Sequence, residues 1–138
     1  MINQAFIPYL KRWQLEPDGP AFETHSSLLM PVRYQMMPAM LKIAREQEEK
    51  FGGLLMCWWR GEGAARELAW HDDGILLERA MGPLSLSQLV RNGEDQRATA
   101  ILCQVIARLH APRDEPYLEL ILLHQWFNAL WPAAQAHG

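Results

Sequence analysis

Several features that mark common classes of protein are missing from this sequence. Its 138 residues hold no apolar run close to the ~20 residues that a membrane-spanning helix needs. The N-terminus shows no positively charged segment followed by an apolar one, so no signal peptide is recognisable. The formal net charge is −3, which provides no basic surface for nucleic acid. We therefore expect a cytoplasmic protein with neither a membrane nor nucleic acid as a partner.

Cysteine is scarce as well. The two cysteines, Cys57 and Cys103, stand in none of the spacings typical of a metal site or a redox motif. We expect both to be reduced, buried thiols.

What the chain does contain is an ordinary globular composition, 49% hydrophobic and 21% charged, together with six tryptophans. So many tryptophans favour a large aromatic core over a site for carbohydrate-like ligands.

The spacing of apolar residues predicts an α+β fold with about five antiparallel strands. The chain starts with a short helix or an extended arm over residues 1–12. Trp13 and Leu15 begin the first strand, and a turn at 16–20 ends it. The later extended segments lie at 21–24, 28–32, 38–43, 67–70 and 75–78, with a turn signal at 71–74.

One helix is expected within this sheet, over residues 45–59 after the strand over 38–43. Its Gly52 and Gly53 each weaken a helix by roughly 1 kcal/mol relative to alanine. Two such residues in a row suggest that the helix packs closely against the sheet.

Beyond residue 82 the pattern becomes helical. Ser85 caps a short helix that Asn92 and Gly93 close, and Asp95 caps the next one. A third helix over 117–134 has an apolar side that no further element is left to cover. The second helix carries the clearest amphipathic pattern in the chain, with apolar residues at Ala98, Ile101, Leu102, Val105, Ile106 and Leu109.

A lysine in the strand over 38–43 is the first candidate functional residue. Lys42 shares one strand face with the apolar Met40, and the opposite face is apolar as well. A strand that is apolar on both faces is expected to be buried on both, so an unpaired Lys42 ammonium would be costly. A strand lysine paired with a helix glutamate is the arrangement with which kinases hold the phosphates of ATP. The alternative is a lysine that reaches solvent beside an exposed acidic helix start. The carboxylates available as partners in the next helix are Glu46, Glu48 and Glu49.

Three other motifs are better explained by local structure than by chemistry. The segment Gly61-Glu62-Gly63 follows a helix rather than a strand, which excludes a dinucleotide fingerprint. The segment His71-Asp72-Asp73 lies in a predicted hairpin turn, where Asp is expected without a metal. His110 ends an amphipathic helix, where a helix-terminal cation is common.

The order and spacing of five short motifs resemble a known family. They resemble the aminoglycoside/hydroxyurea phosphotransferases, the group that includes the streptomycin 6-kinases, from about Trp13 to Ala134. The resemblance implies a protein-kinase-like N-lobe over 1–81, with one αC-type helix, followed by the hinge and the first helices of a helical C-lobe over 82–138. The motifs are Ala39-Met40-Leu41-Lys42, Glu49, Gly61-Glu62-Gly63-Ala64-Ala65, Leu76-Leu77-Glu78-Arg79-Ala80 and Leu109-His110-Ala111.

The resemblance implies ATP and Mg²⁺ as cofactors. Lys42 would pair the α- and β-phosphates, and Glu49, rather than the other two glutamates, would orient it. Met40 would cover the adenine, or else fill the core. The loop with Ser26 and Ser27 would cover the phosphates, although it contains no glycine and could be an ordinary turn.

A hinge with backbone contacts to the adenine is implied for Glu78 to Ala80. The catalytic loop of such kinases, HGDxHxxN, and a later metal-binding Asp are not found in the sequence. We therefore assign no catalytic and no metal residue, and expect an N-terminal piece of an aminoglycoside O-phosphotransferase that cannot transfer phosphate alone. The partners of the whole enzyme would be a nucleotide and an aminoglycoside.

Two other interpretations remain open. The chain could be a non-catalytic kinase-like module that binds a partner, or itself, through the exposed helix over 117–134. It could also be an unrelated α+β binding protein in which Lys42 is structural.

Overall fold

A computed structural model of the chain describes residues 3–115 and 120–137. A 3-10 turn at Gln4–Phe6 precedes the first helix. The helices are α1 (Ile7–Arg12), α2 (Gln47–Trp59), α3 (Leu86–Arg91), α4 (Asp95–Leu109), α5 (Leu123–Trp126) and α6 (Leu130–His137). The strands are β1 (Glu16–Pro17), β2 (Phe22–Glu23), β3 (Ser27–Tyr34), β4 (Met37–Ala44), β5 (Glu67–His71) and β6 (Gly74–Glu78).

The six described strands form one antiparallel sheet. Their order is β1-β3-β4-β6-β5, and β2 also pairs with β3. β1 lies beside Val32 and Arg33, and β2 lies beside Leu28 and Leu29, so the two short strands share one edge position. The edge is interrupted where prolines, which cannot donate to a ladder, flank a turn. The predicted α+β fold with one helix inserted in an antiparallel sheet is confirmed, and the broken edge explains six strands where about five were expected.

The main core lies on the sheet face that the N-terminal segment covers. In β4, Leu41 is fully buried while Lys42 is half-buried, which is the alternation that a strand imposes. The opposite sheet face therefore carries Lys42 and turns towards α2. The buried cluster consists of Phe6, Leu15, Met30, Val32, Ala39, Leu41, Ile43 and Leu76.

The start of the chain corrects two predictions. The lead-in segment is helical at Ile7–Arg12, but Trp13 caps this helix instead of starting a strand, because its N–H bonds to the carbonyl of Tyr9. Its ring also lies 5.4 Å from the Tyr9 ring. The expected aromatic core is wrong as well: of the six tryptophans, three are half-buried and three are exposed, and the core is mostly aliphatic.

Helix α2 begins two residues later than predicted and ends where Arg60 adopts a left-handed conformation, with φ of 52°. The expected close packing at its glycines is wrong. A Cβ at Gly52 would meet nothing within 4 Å among the described residues, and one at Gly53 would lie 4.0 Å from Ile75 Cδ1. The helix thus leaves a small gap over the sheet, and every residue from Glu49 to Trp59 is only half-buried.

The helices beyond residue 82 follow the prediction less closely. Ser85 caps α3 by accepting a hydrogen bond from the Gln88 N–H, as predicted, whereas Glu94 rather than Asp95 precedes α4. The helix expected over 117–134 is wrong: residues 116–119 lie outside the described part, and the rest forms two short helices, α5 and α6. Pro132 explains the break, because its ring would clash with the carbonyl four residues earlier in a continuous helix. The apolar side of this segment is exposed, as expected.

Both cysteines are free, as predicted, but only one is shielded from solvent. Cys57 is half-buried in α2, and this burial raises the pKa of its thiol. Cys103 is exposed, because its position two residues after Ile101 turns it away from the packed side of α4. Among the described helices, none is both long and apolar enough to cross a membrane.

Candidate functional site

Lys42 and Glu49 meet between the central strand and the inserted helix. Lys42 Nζ lies 2.5 Å from Glu49 Oε2, and the two side chains are 30% and 26% exposed. β4 directs Lys42 to the face opposite the main core, and α2 brings Glu49 over that face from its first turn. Glu46 and Glu48 are exposed. Of the three candidate partners, the structure therefore pairs Glu49 with Lys42.

Both carboxylate oxygens of Glu49 are engaged. Ser26 Oγ donates a hydrogen bond to Glu49 Oε1 at 2.7 Å, while Oε2 faces Lys42. The hydrogen bond from Lys42 lowers the pKa of Glu49 most, and the hydrogen bond from Ser26 lowers it further. Burial of the carboxylate acts in the opposite direction and raises the pKa, but its effect is smaller. Glu49 is therefore an anion at neutral pH, as a partner of a lysine must be.

The serine loop lies directly beside this pair. Ser26 O accepts a hydrogen bond of 2.8 Å from the Arg45 N–H, which ties the loop to the start of α2. Ser27 begins β3 opposite Ala44 and is fully buried. Its hydroxyl contributes to the low pKa of Glu49 but has no well-formed hydrogen bond among the described residues. The loop thus lies beside the pair of Lys42 and Glu49, with the Ser26 hydroxyl turned towards Glu49.

Met40 lies on the same sheet face as Lys42. It is half-buried, opposite Pro31 in β3 and Leu77 in β6. The side chains of the main core lie on the other face of β4, so Met40 is not needed to fill that core. This position is compatible with an apolar cover for a flat ligand, and that role stays a prediction.

The segment expected to be a hinge leaves the sheet at the end of β6. Glu78 is held at both ends: its N–H donates to Arg66 O at 2.9 Å, and its Oε1 accepts from the Arg66 N–H at 2.8 Å. Arg79 Nη2 lies 2.5 Å from Asp18 Oδ2, and this contact lowers the pKa of Asp18. Ala80 is exposed. Sequence reasoning missed the pair of Asp18 and Arg79, because nothing local links residues so far apart.

A cluster of contacts around Arg113, which the sequence did not reveal, joins α2 to α4. Arg113 donates to the carbonyls of Leu109 and Ala111 at the end of α4, at 2.9 and 3.0 Å. Its guanidinium also lies 4.7 Å from the centre of the Trp58 ring. Trp59 Nε1 donates to Leu109 O at 3.2 Å. These contacts attach the C-terminal end of α2 to the helical region.

Two of the motifs assigned to local structure, at residues 71–73 and at His110, lie at a hairpin turn and at a helix end. Residues 71–74 form the hairpin turn between β5 and β6, and Asp73 pairs with Lys50 at 2.7 Å. His110 caps the end of α4. Within residues 3–115 and 120–137, no group of three or more His, Cys, Asp or Glu could hold a metal ion.

The arrangement supports one kind of chemistry. The Lys42 ammonium is half-buried, is held by the Glu49 carboxylate and lies beside the loop that precedes β3. Such an ammonium can neutralise an anionic group such as a phosphate. The described residues do not fit a magnesium site. We therefore name no magnesium ligand and derive no reaction step that involves magnesium.

The chain is similar to known proteins over almost its whole length. The sequence profile described as "Aminoglycoside/hydroxyurea antibiotic resistance kinase" matches residues 12–138. The curated streptomycin 3''-kinase of Klebsiella pneumoniae is 46% identical over 129 residues, which are 94% of this chain and 48% of the relative. The chain thus spans about half the length of that relative. No solved structure matches the chain significantly.

Proposed function

The chain belongs to the aminoglycoside/hydroxyurea antibiotic resistance kinase family, and we propose that it forms the nucleotide-binding half of an ATP-dependent aminoglycoside O-phosphotransferase. The whole cytoplasmic enzyme would transfer the γ-phosphoryl group of ATP to a hydroxyl group of the drug. The observation that carries this proposal is the contact of 2.5 Å between Lys42 and Glu49, on the sheet face that the main core leaves free.

The nucleotide would lie along that face. We propose that Lys42 contacts the α- and β-phosphates and that Glu49 holds its ammonium in place. The loop before β3, with Ser26, and the first residue of that strand, Ser27, would cover the phosphates through backbone N–H groups. Met40 would cover the adenine.

The adenine edge would contact the backbone of Glu78 and Ala80. Because the Glu78 N–H already donates to Arg66, it is not the donor to a base in this arrangement. The Ala80 N–H is then the preferred donor of the segment. Since Arg79 is tied to Asp18, the segment is held at a fixed distance from the sheet edge.

The acceptor would be an aminoglycoside. This part of the proposal draws on the relative, whose name gives it streptomycin as the substrate. The 138 residues contain no HGDxHxxN sequence, and the part of the chain that the structure describes holds no metal cluster. We therefore propose that this chain alone binds the nucleotide without transferring phosphate, and that expressing it does not raise streptomycin tolerance above that of a vector control.

Nucleotide binding is tested by thermal unfolding with and without Mg-ATP. We expect Mg-ATP to raise the melting temperature of the unchanged chain, and Lys42→Ala to abolish the rise. Lys11→Ala is the control, because Lys11 is an exposed lysine of α1, in the segment that covers the other face of the sheet. A rise that survives in Lys42→Ala would contradict the proposal.

A second candidate function is supported by the exposed apolar residues near the end of the chain. Trp126, Leu130 and Trp131 are 55%, 60% and 77% exposed, an unusual cluster for a monomer. A non-catalytic module could bind a second copy through this surface. Sedimentation at increasing concentration tests it: association that Trp126→Glu abolishes would favour this function, and a monomer at all concentrations would exclude self-association.

A further inference from the structure

The hydroxyl of Ser26 is already used in the arrangement described above. It donates to Glu49 Oε1 at 2.7 Å, while Glu49 Oε2 contacts Lys42. A serine hydroxyl has one hydrogen to donate, so it cannot serve a phosphate oxygen while it serves Glu49. We infer that Ser26 is a positioning residue, which holds Glu49 in the orientation that contacts Lys42, rather than a hydroxyl donor to the nucleotide. The part of this inference that concerns nucleotide affinity rests on the proposed function.

The inserted helix has little else to fix its first turns. Gly52 and Gly53 bring no side chain to the sheet, and the residues from Glu49 onwards are only half-buried. The contact between Lys50 and Asp73 is about 40% exposed on both sides, and such pairs contribute little in water. The strong contacts of Trp58 lie at the other end of the helix. The orientation of Glu49 therefore depends chiefly on Lys42 and Ser26, with a smaller contribution from the Ser27 hydroxyl.

The loop presents the Ser26 hydroxyl from a fixed backbone. Ser26 O accepts from the Arg45 N–H at 2.8 Å, and Thr24 N–H donates to Ser27 O at 2.9 Å. The Thr24 hydroxyl is turned to the same Ser27 carbonyl, at 3.3 Å. Because these bonds do not involve the Ser26 side chain, removing its hydroxyl should change Glu49 while the loop keeps its path.

Ser26 would thus couple two parts of the nucleotide site. The Glu49 carboxylate would fix the position of the Lys42 ammonium relative to the backbone of the loop. The reason is geometric: each oxygen of Glu49 contacts a different element, one the loop before β3 and the other β4. Losing one contact frees the carboxylate to turn about its side-chain torsions.

The test follows the titration of Glu49 without any nucleotide. We expect Ser26→Ala to move the midpoint of the Glu49 carboxyl resonance, measured by ¹³C NMR, to higher pH, because one donor to the charged form is lost. Ser26→Thr, which restores a hydroxyl, should return it towards the original value. Ser87→Ala, an exposed serine in α3, is the control and should leave it unchanged. If Ser26→Ala does not fold, Ser26→Cys keeps a weak donor and should give an intermediate midpoint.

The second measurement is affinity for Mg-ATP. We expect Ser26→Ala to weaken binding by about three- to tenfold, the range for loss of one hydrogen bond, and Ser26→Thr to recover most of it. An unchanged Glu49 midpoint in Ser26→Ala would overturn the inference. If affinity fell at an unchanged midpoint, the hydroxyl would act on the phosphates instead. If even the unchanged chain bound no nucleotide, the proposed function would fail, while the Glu49 titration would still decide the role of Ser26.

Discussion

The sheet region and the helical region of this protein bury apolar side chains to very different extents. The main core, from Phe6 to Leu76, belongs entirely to the sheet region, and its members are at most 7% exposed. In α4, Leu102 and Ile106 are 48% and 51% exposed, although they stand in the most regular amphipathic pattern of the chain. Periodicity therefore shows which side of a helix is apolar, whereas burial depends on what packs against that side.

The physical reason is the N-terminal segment. It covers one face of the sheet, so this region completes its core with its own residues. The helices α5 and α6 present their apolar residues to solvent instead. This contrast can be tested by substitutions in both regions.

The strongest test compares two leucines, one from each region. Leu41→Ala removes a fully buried side chain and should lower the free energy of unfolding by about 2–5 kcal/mol. Leu102→Ala, in the half-exposed stripe of α4, should change it by less than about 1 kcal/mol. Urea denaturation measures both. Equal effects would mean that α4 is covered in solution and that the contrast between the regions is wrong.

Arg113 tests whether the two regions stabilise each other. Its side chain is 11% exposed and connects the end of α4 with Trp58 in α2, so Arg113→Ala should cost about 1–3 kcal/mol. Arg97→Ala is the control, because Arg97 is 59% exposed and its pair with Glu94 should be worth less than about 0.5 kcal/mol. Denaturation curves that separate into two transitions in Arg113→Ala would show that this residue links the regions.

The gap beneath α2 predicts a stabilising change. Gly52→Ala adds a methyl group into open space within a helix and should raise the free energy of unfolding by about 0.5–1 kcal/mol. Gly63→Ala should do the opposite, because Gly63 has φ of 85° and a Cβ there would lie 3.0 Å from Arg108 Cβ. Melting temperatures measure both. A loss of stability in Gly52→Ala would show that this helix packs more tightly than described.

The smallest expected effect is the pH dependence of the Lys42 and Glu49 contact. The pKa of Glu49 lies below its ordinary value of 4.5, so its contribution to stability is present above that value. The contribution is lost as the pH falls through the lower pKa of the folded state. The difference in melting temperature between the unchanged chain and Glu49→Gln should therefore shrink on acidification from neutral pH. A difference that grew instead would contradict the pairing.

Prediction from sequence was most successful where the reason was local. The alternation of apolar residues placed β4, and with it the face on which Lys42 lies. The Ser85 cap was found because capping depends on residues three apart. The start of a strand at Trp13 was wrong, since a helix-terminal hydrogen bond competes with extended structure there. The helix over 117–134 was wrong because Pro132 prevents it from being continuous.

The candidate site was predictable in part. Three glutamates were plausible partners for Lys42, and the family resemblance favoured the one that the structure pairs with it. That Ser26 would turn its hydroxyl to Glu49 was not predictable, because it depends on how the loop before β3 and helix α2 approach each other. The pair of Asp18 and Arg79 was missed for the same reason.

The α+β class, the order of the elements and the motifs of one family could be read from the sequence, since periodicity and ordered motifs are properties of the chain alone. Tertiary structure decided which sheet face the N-terminal segment covers, which glutamate meets Lys42 and which donor serves its second oxygen. These choices depend on contacts between residues far apart in the chain. The distance of 2.7 Å between Ser26 Oγ and Glu49 Oε1, for example, is set only when the loop before β3 and helix α2 have both folded.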